Sequence, residues 1–280
     1  VQDEDVRKPL LVATDVDGTL LDPHERLSER TRRVVASVLT AGVPFVLSTG
    51  RPPRWISMVS EPLGLRGYAV TTNGALVYDL GTDRVAKSWL LPPMLLHDAA
   101  SALAKAIPGC AFAVERPPNG EAPTFLPDQP YGAFLSEHGY THAWPNSQSV
   151  EASRAEILGQ PAIKLLVRHE GMRSEEMSIA AEAVLNGAAG ITYSTSNGLI
   201  ELAAPGITKA TGLSWVADQH GVAQADVIAF GDMPNDLEML RWAGHGVAMG
   251  NAHPDLLAVA DEVTATNGED GVAAVLERWF

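Results

Sequence analysis

The chain has 280 residues, with 34 acidic against 20 basic side chains and a formal net charge of −14. That balance excludes the basic footprint that a nucleic-acid or anionic-membrane surface needs, and it suits a protein that holds a divalent cation. Hydrophobic residues make up 46% and charged residues 19%, which excludes a disordered chain. At about 150 residues per domain, the length predicts one large domain or two smaller ones.

The N-terminus, Val1 to Lys8, is charged and lacks an apolar region, so it is not expected to be a secretory signal. Leu10 to Thr14 is a short apolar run of the kind buried on both faces of a parallel sheet. A helix follows, with Ser28 as its cap, Val34, Val35, Val38 and Leu39 as its apolar stripe and Gly42 at its end. Val43 to Leu47 repeats the strand signal, Trp55, Met58 and Val59 suggest a second helix, and Tyr68 to Val70 a third strand. This alternation predicts parallel strands with right-handed crossovers.

From about Asp83 to Leu202 the text changes. Prolines cluster at 117, 118, 123, 127 and 130, and the apolar runs shorten. Helices are expected at Met94 to Ile107 and Ser174 to Leu185, and strands at Ala162 to Val167 and Leu199 to Leu202. The first rhythm then returns. Helices are predicted at Thr208 to His220, Asp236 to Trp242 and Pro254 to Ala260, and strands at Val227 to Phe230, Val247 to Met249 and Glu262 to Val263. The pattern reads as one α/β domain, 1–83 and 203–280, interrupted by a second at 84–202. Cys110 is the only cysteine, which rules out an intrachain disulfide and a zinc–thiolate cluster and fits a reducing compartment such as the cytoplasm. No apolar run reaches the roughly 18 residues of a membrane span.

Four segments carry chemistry, each at a predicted strand end or helix start. Asp15-Val16-Asp17-Gly18 places two carboxylates just past the first strand, where an open parallel sheet has its ligand crevice. An EF-hand is excluded, because its twelfth position would be Arg26. Thr49-Gly50-Arg51 offers a hydroxyl and an amide to phosphoryl oxygens. Lys209 stands at a helix N-terminus, the wrong end for a cation unless an anion is held there. Gly231 to Asp236 adds two carboxylates and the Asn235 amide. Taken singly, each also fits an ordinary polar turn or helix cap. Together they supply hard oxygen ligands, a nucleophile and phosphate donors.

With these residues the sequence resembles the haloacid dehalogenase superfamily. Its four motifs look like DVDGTL at Asp15 to Leu20, Thr49, Lys209 and GDMPND at Gly231 to Asp236, in the usual order. Thr72-Asn73-Gly74-Ala75, Met249-Gly250-Asn251-Ala252 and Gly271-Val272-Ala273 are similar to signatures of its Cof-type, sugar-phosphatase-like branch. The resemblance implies a Rossmann-like parallel-sheet core with an inserted α/β cap that sets specificity. It implies a Mg2+-dependent phosphomonoester hydrolase of small phosphorylated metabolites, sugar phosphates above all. Asp15 would attack phosphorus and form an aspartyl-phosphate, and Asp17 would serve as acid and then base. Dehalogenases carry no acid at the Asp17 position, so its presence favours phosphoryl transfer. Metal ligation is implied for Asp15, the Asp17 main-chain carbonyl, Asp232 and, directly or through water, Asp236. Thr49, Gly50 and Lys209 would hold the phosphate, and Asn235 the phosphate or a metal-bound water. Arg51 and Asn73 would face the substrate or the cap, or tie the site together. The same chemistry in a phosphomutase, and a phosphometabolite-binding regulator without turnover, stay open as alternatives. A monomer or weak homo-oligomer is expected, with no nucleic-acid or membrane partner.

Other features receive bland readings. His138 and His142 are four apart but lack a third ligand, and Gly244 to Gly250 misses the dinucleotide fingerprint. Tyr131, Phe134, Tyr140 and Trp144 read as core packing with an option to stack on substrate.

Overall fold

The computed structural model describes residues 7–117, 134–143 and 149–280. They fall into two compact units. One runs to Arg51 and adds Trp55–Asp83 and Thr208–Phe280; the other holds Pro52–Arg54 and Arg84–Ile207. In chain order the described elements are β1 (Leu11–Thr14), α1 (Glu29–Thr40), β2 (Phe45–Leu47), α2 (Ser57–Ser60), β3 (Tyr68–Thr71) and β4 (Leu76–Asp79). Then come β5 (Arg84–Ser88), α3 (Pro93–Ala106), β6 (Ala111–Glu115), β7 (Phe134–Ser136), β8 (Val150–Glu151), α4 (Arg154–Leu158), β9 (Lys164–Arg168), α5 (Ser174–Leu185), β10 (Gly190–Thr192) and β11 (Leu199–Ala203). The last are α6 (Lys209–His220), β12 (Val227–Gly231), α7 (Leu237–Trp242), β13 (His245–Ala248), α8 (Pro254–Leu257), β14 (Glu262–Val263) and α9 (Gly271–Leu276).

The first unit is built on a five-stranded parallel sheet of order β14-β13-β12-β1-β2. All four residues of β1 are buried, because β12 and β2 flank it and apolar side chains cover both faces. A parallel bridge from Ser48 to Val70 carries β3 alongside, and β3 turns back antiparallel into β4. Helix α1 starts where the Ser28 Oγ accepts a 3.0 Å bond from the Thr31 N–H, and it buries Val34, Val35 and Val38. Helix α6 ends at Gly221, whose φ of 64° lets its N–H reach back to the Ala217 carbonyl. The chain leaves β1 toward β2 on one side and returns through β12, β13 and β14 on the other. The order therefore reverses beside β1, and ligands bind at the carboxyl ends of the strands at such a reversal.

The second unit is a six-stranded sheet of order β10-β11-β9-β6-β7-β8, antiparallel except for the β7–β8 pair. Period-2 alternation sends Phe112, Val114, Leu165, Val167, Ile200 and Leu202 into one core with Leu96 and Leu103 of α3 and Met177 of α5. The opposite residues, Ala113, Leu166 and Leu199, pack with Phe134, and Tyr140 lies against that cluster. This face also buries charge. Lys164 pairs with Glu201, and Arg54 pairs with Glu115. Strand β11 runs through Ala203, past the expected boundary at 202.

Two expected helices are shorter than their patterns suggest. Around Trp55 a single-turn helix, Pro53–Trp55, precedes α2, because two prolines remove backbone donors there. Helix α8 stops at Leu257 rather than Ala260. His138 contacts Glu151 and His142 contacts Ser149, so the pair does not converge on one point. Phe134 is buried as a core residue; Tyr131 and Trp144 lie outside the described residues.

Gly74 shows how closely the first unit is packed. Its φ is 92°, and a Cβ there would lie 1.8 Å from the Thr208 carbonyl oxygen. Replacing it with alanine is expected to destabilise the protein by about 3 kcal/mol or more, read as a lower midpoint in urea unfolding.

Candidate active site

Asp15 leaves β1 in register, its N–H bonded to the Phe230 carbonyl of β12 at 2.9 Å. The chain then winds through one wide turn, Val16–Leu20, made possible by Gly18 at φ 77°. A Cβ on Gly18 would lie 2.2 Å from Asp232 Oδ2, so only glycine lets this turn press against the Asp232 carboxylate. Thr19 Oγ1 donates to Asp232 Oδ1 at 2.8 Å. On the far side, Asn251 Nδ2 donates to the Gly18 carbonyl at 2.9 Å. Thr19 and Asn251 lie in the DVDGTL and Met249-Gly250-Asn251-Ala252 stretches, whose residue types alone give them no place at the site. Their signal is an oxygen or amide within short reach of a chemistry-bearing turn, which becomes visible only when the turns meet.

Lys209 opens α6 and is fully buried. Its Nζ lies 2.6 Å from Asp15 Oδ1 and 2.6 Å from Asp236 Oδ1. The anion that a lysine at a helix N-terminus requires is therefore supplied by two carboxylates of the chain itself. Asp236 uses its other oxygen to accept the N–H groups of Asp232 and Met233, each at 3.1 Å. This fixes the turn after β12 and sets Asp232 beside it.

A second line of bonds closes the site. Arg51 donates from Nε to Asp17 Oδ2 at 2.8 Å and from a terminal nitrogen to Asp17 Oδ1 at 2.5 Å. The Arg51 N–H donates to Thr49 Oγ1 at 3.1 Å, and the Thr49 carbonyl accepts the Asn73 N–H at 3.0 Å. Asn235 Nδ2 donates to Asn73 Oδ1 at 3.0 Å. Gly50 lies against that same Asn73 oxygen, 3.0 Å from where its own Cβ would be. Asp15, Asp17, Thr49, Gly50, Arg51, Asn73, Lys209, Asp232, Asn235 and Asp236 are thus joined through direct contacts within the first unit.

Asp15, Asp232 and Asp236 each bring a carboxylate oxygen within 4.8 Å of the other two, and all three residues are buried. Such an oxygen-only set suits a hard divalent cation. Burial pushes the Asp15 carboxyl well above its ordinary range; Lys209 pulls it back, and the neighbouring Asp236, Asp232 and Asp17 push it further up. Burial and Asp236 raise Asp232 to about 7, against the Thr19 hydrogen bond and Lys209. Between the ordinary carboxylate range and about 7, the folded state holds a proton at Asp232 that the unfolded chain releases. Stability from this source is present at low pH and is lost as pH rises through about 7.

A cation that replaces that proton reverses the trend. Added Mg2+ is therefore expected to raise the melting temperature more at about pH 8 than at about pH 5.5, where protons compete for the same oxygens. Replacing Lys209 with methionine leaves Asp15 and Asp236 buried without a countercharge. A loss of about 3–5 kcal/mol is expected in denaturant unfolding at neutral pH without added metal.

The family of haloacid dehalogenase-like hydrolases matches residues 12–276. The chain is 31% identical to the 5-amino-6-(5-phospho-D-ribitylamino)uracil phosphatase YitU of Bacillus subtilis, over 98% of this chain and 98% of that protein. It is 28% identical to the HMP-PP phosphatase of Cronobacter sakazakii, over 96% and 95% of the two chains. Among solved structures, a haloacid dehalogenase-like hydrolase from Bacteroides thetaiotaomicron matches with a TM-score of 0.73 at 25% identity, covering 96% of this chain and 99% of that one. With its parallel-sheet core and its cluster of aspartates around a buried lysine, the chain belongs to the haloacid dehalogenase-like hydrolases, and it is a phosphatase of that family.

Proposed function

We propose that the enzyme hydrolyses phosphomonoesters of small metabolites, sugar and polyol phosphates in particular, with Mg2+ and through an aspartyl-phosphate. The observation that carries this reading is Lys209, fully buried with its ammonium 2.6 Å from both Asp15 and Asp236. A lysine so placed holds one oxygen of Asp15 and leaves the other to attack. It also puts a fixed positive charge where phosphoryl oxygens gain negative charge. The names of the relatives support the substrate class, since they act on small phosphorylated compounds.

In the first step an Asp15 oxygen forms a bond to phosphorus while the ester P–O bond breaks, and Asp17 gives its proton to the leaving oxygen. The Asp17 side chain is 51% exposed and paired with Arg51, a pair it would leave to meet the substrate as a protonated acid, whereas Asp15 is buried. In the second step Asp17 takes a proton from the water that attacks the aspartyl-phosphate, which releases inorganic phosphate and restores Asp15. Thr49 and Gly50 would donate to the phosphoryl oxygens beside Lys209.

Four carboxylates, Asp15, Asp17, Asp232 and Asp236, face two cations, Lys209 and Arg51. This donor set fits Mg2+, which would be held by Asp15, Asp232 and the Asp17 main-chain carbonyl, and by Asp236 directly or through water. Bound there, the ion would offset the excess negative charge and neutralise the phosphoryl group.

Phosphate release from a panel of sugar, polyol and nucleotide phosphates is expected to require Mg2+ and to stop with a chelator. Asp15→Asn is expected to lose at least about a thousandfold in kcat with an unchanged circular dichroism spectrum. Turnover retained in that variant would overturn the covalent route, and phosphate passed to an acceptor rather than released would indicate a mutase.

A further inference from the structure

The loop after β13 bonds to both turns that carry the acidic groups. Asn251 donates from Nδ2 to the Gly18 carbonyl at 2.9 Å, and two residues on the His253 N–H donates to the Asp232 carbonyl at 2.7 Å. The loop is itself braced. The Met249 N–H donates to the Gly231 carbonyl at 3.0 Å, and the Gly250 N–H to the Ala265 carbonyl at 3.1 Å. Asn251 Oδ1 accepts the Asn267 N–H at 2.9 Å, and Asn267 Nδ2 donates to the Leu21 carbonyl at 2.8 Å. A donor faces one end of the Asn251 amide and an acceptor the other, so its partners settle its orientation.

Gly18 is the weakest link of the first turn. Its φ is 77°, and without a Cβ the peptides on either side of it rotate more freely than at any other residue. The Asp17 carbonyl belongs to one of those peptides and the Gly18 carbonyl to the other. Holding the Gly18 carbonyl on Asn251 therefore limits where the Asp17 carbonyl points. The same loop holds the Asp232 carbonyl, so Asn251 to His253 set the spacing between the two turns. Spacing is what separates the hard cations. Mg2+ takes oxygens at about 2.0–2.1 Å in a near-ideal octahedron, whereas Ca2+ takes about six to eight at about 2.3–2.6 Å and tolerates irregular sites. We propose that Asn251 is a positioning residue that tilts the site toward Mg2+ and against Ca2+, by fixing the Gly18 peptide at a set distance from the Asp232 turn. The inference rests on the cation site of the function proposed above and adds what selects the ion.

The test is calorimetric titration of the metal-free protein with Mg2+ and with Ca2+, for the wild type, Asn251→Ala and Asn251→Asp. Aspartate keeps an oxygen toward Asn267 but sets an acceptor against the Gly18 carbonyl. Its added charge attracts both ions alike, so the ratio of the two Kd values cancels it. Asn251→Ala is expected to weaken Mg2+ about tenfold and Ca2+ by less than about twofold. The preference for Mg2+ over Ca2+ then falls about fivefold or more, and it falls in the same direction in Asn251→Asp. Asn251 is exposed, so both variants are expected to melt without metal within about 3 °C of the wild type. If alanine melts lower, Asn251→Asp carries the test. A ratio unchanged in both variants would overturn the inference, because a loop that only supports the fold weakens both ions alike. Phosphate release by the wild type is measured beside the titrations. Intact cation binding without release would sink the proposed function, while the ratio would still decide this inference; a wild type that binds neither ion would sink both.

Discussion

The site depends on one buried ammonium. Lys209 has no exposure to water, so its charge must be met by fixed partners, and Asp15 and Asp236 meet it at 2.6 Å each. This requirement draws together the end of β1, the start of α6 and the turn after β12, which are far apart in sequence. Removing the lysine leaves two uncompensated carboxylates in a site shielded from water. The same arrangement keeps three carboxylates close together; burial first, and then that crowding, raises Asp15 and Asp232, and the oxygen-only set suits a cation.

Around this centre the contacts form a closed circuit. Asp15 and Asp17 share one turn; Lys209 links Asp15 to Asp236; Asn235 reaches Asn73; the Thr49 carbonyl holds Asn73; Arg51 returns to Asp17. A circuit of this kind holds its members more tightly than separate pairs do, because each bond restricts the geometry of the next. The sheet supplies the frame: β1 lies between β2 and β12, so three strand ends deliver their turns to the same edge. The second unit follows a different plan, with helices on one face of a mostly antiparallel sheet and, on the other, a buried ion pair, Lys164 with Glu201, and a half-buried one, Arg54 with Glu115.

Much of this was readable in the chain. The run Leu10 to Thr14 announces a strand buried on both faces, and it is one. The Ser28 cap and the Gly221 stop mark helix ends by local chemistry that needs no tertiary partner. The strands β4, β5, β6, β7, β8 and β10 were not anticipated. They are short, and several sit in the second unit, where period-2 alternation competes with a proline-rich text and pairing partners are distant. The α2 stretch carries a helical pattern that neighbouring prolines cut short, and α8 ends three residues before its pattern does.

By itself the sequence determined which groups are available: carboxylates just past strands, a lysine at a helix start, glycines where the backbone must turn sharply. Those are local properties, written in residue type and spacing. Only the tertiary structure decided partners. That Lys209 spends its charge on Asp15 and Asp236, that Arg51 pairs with Asp17, and that Asn235 bonds to Asn73 depend on turns from separate strands meeting within about 3 Å. Contacts across 27 to 194 residues of chain are set by the order of strands in the sheet, which no local pattern encodes.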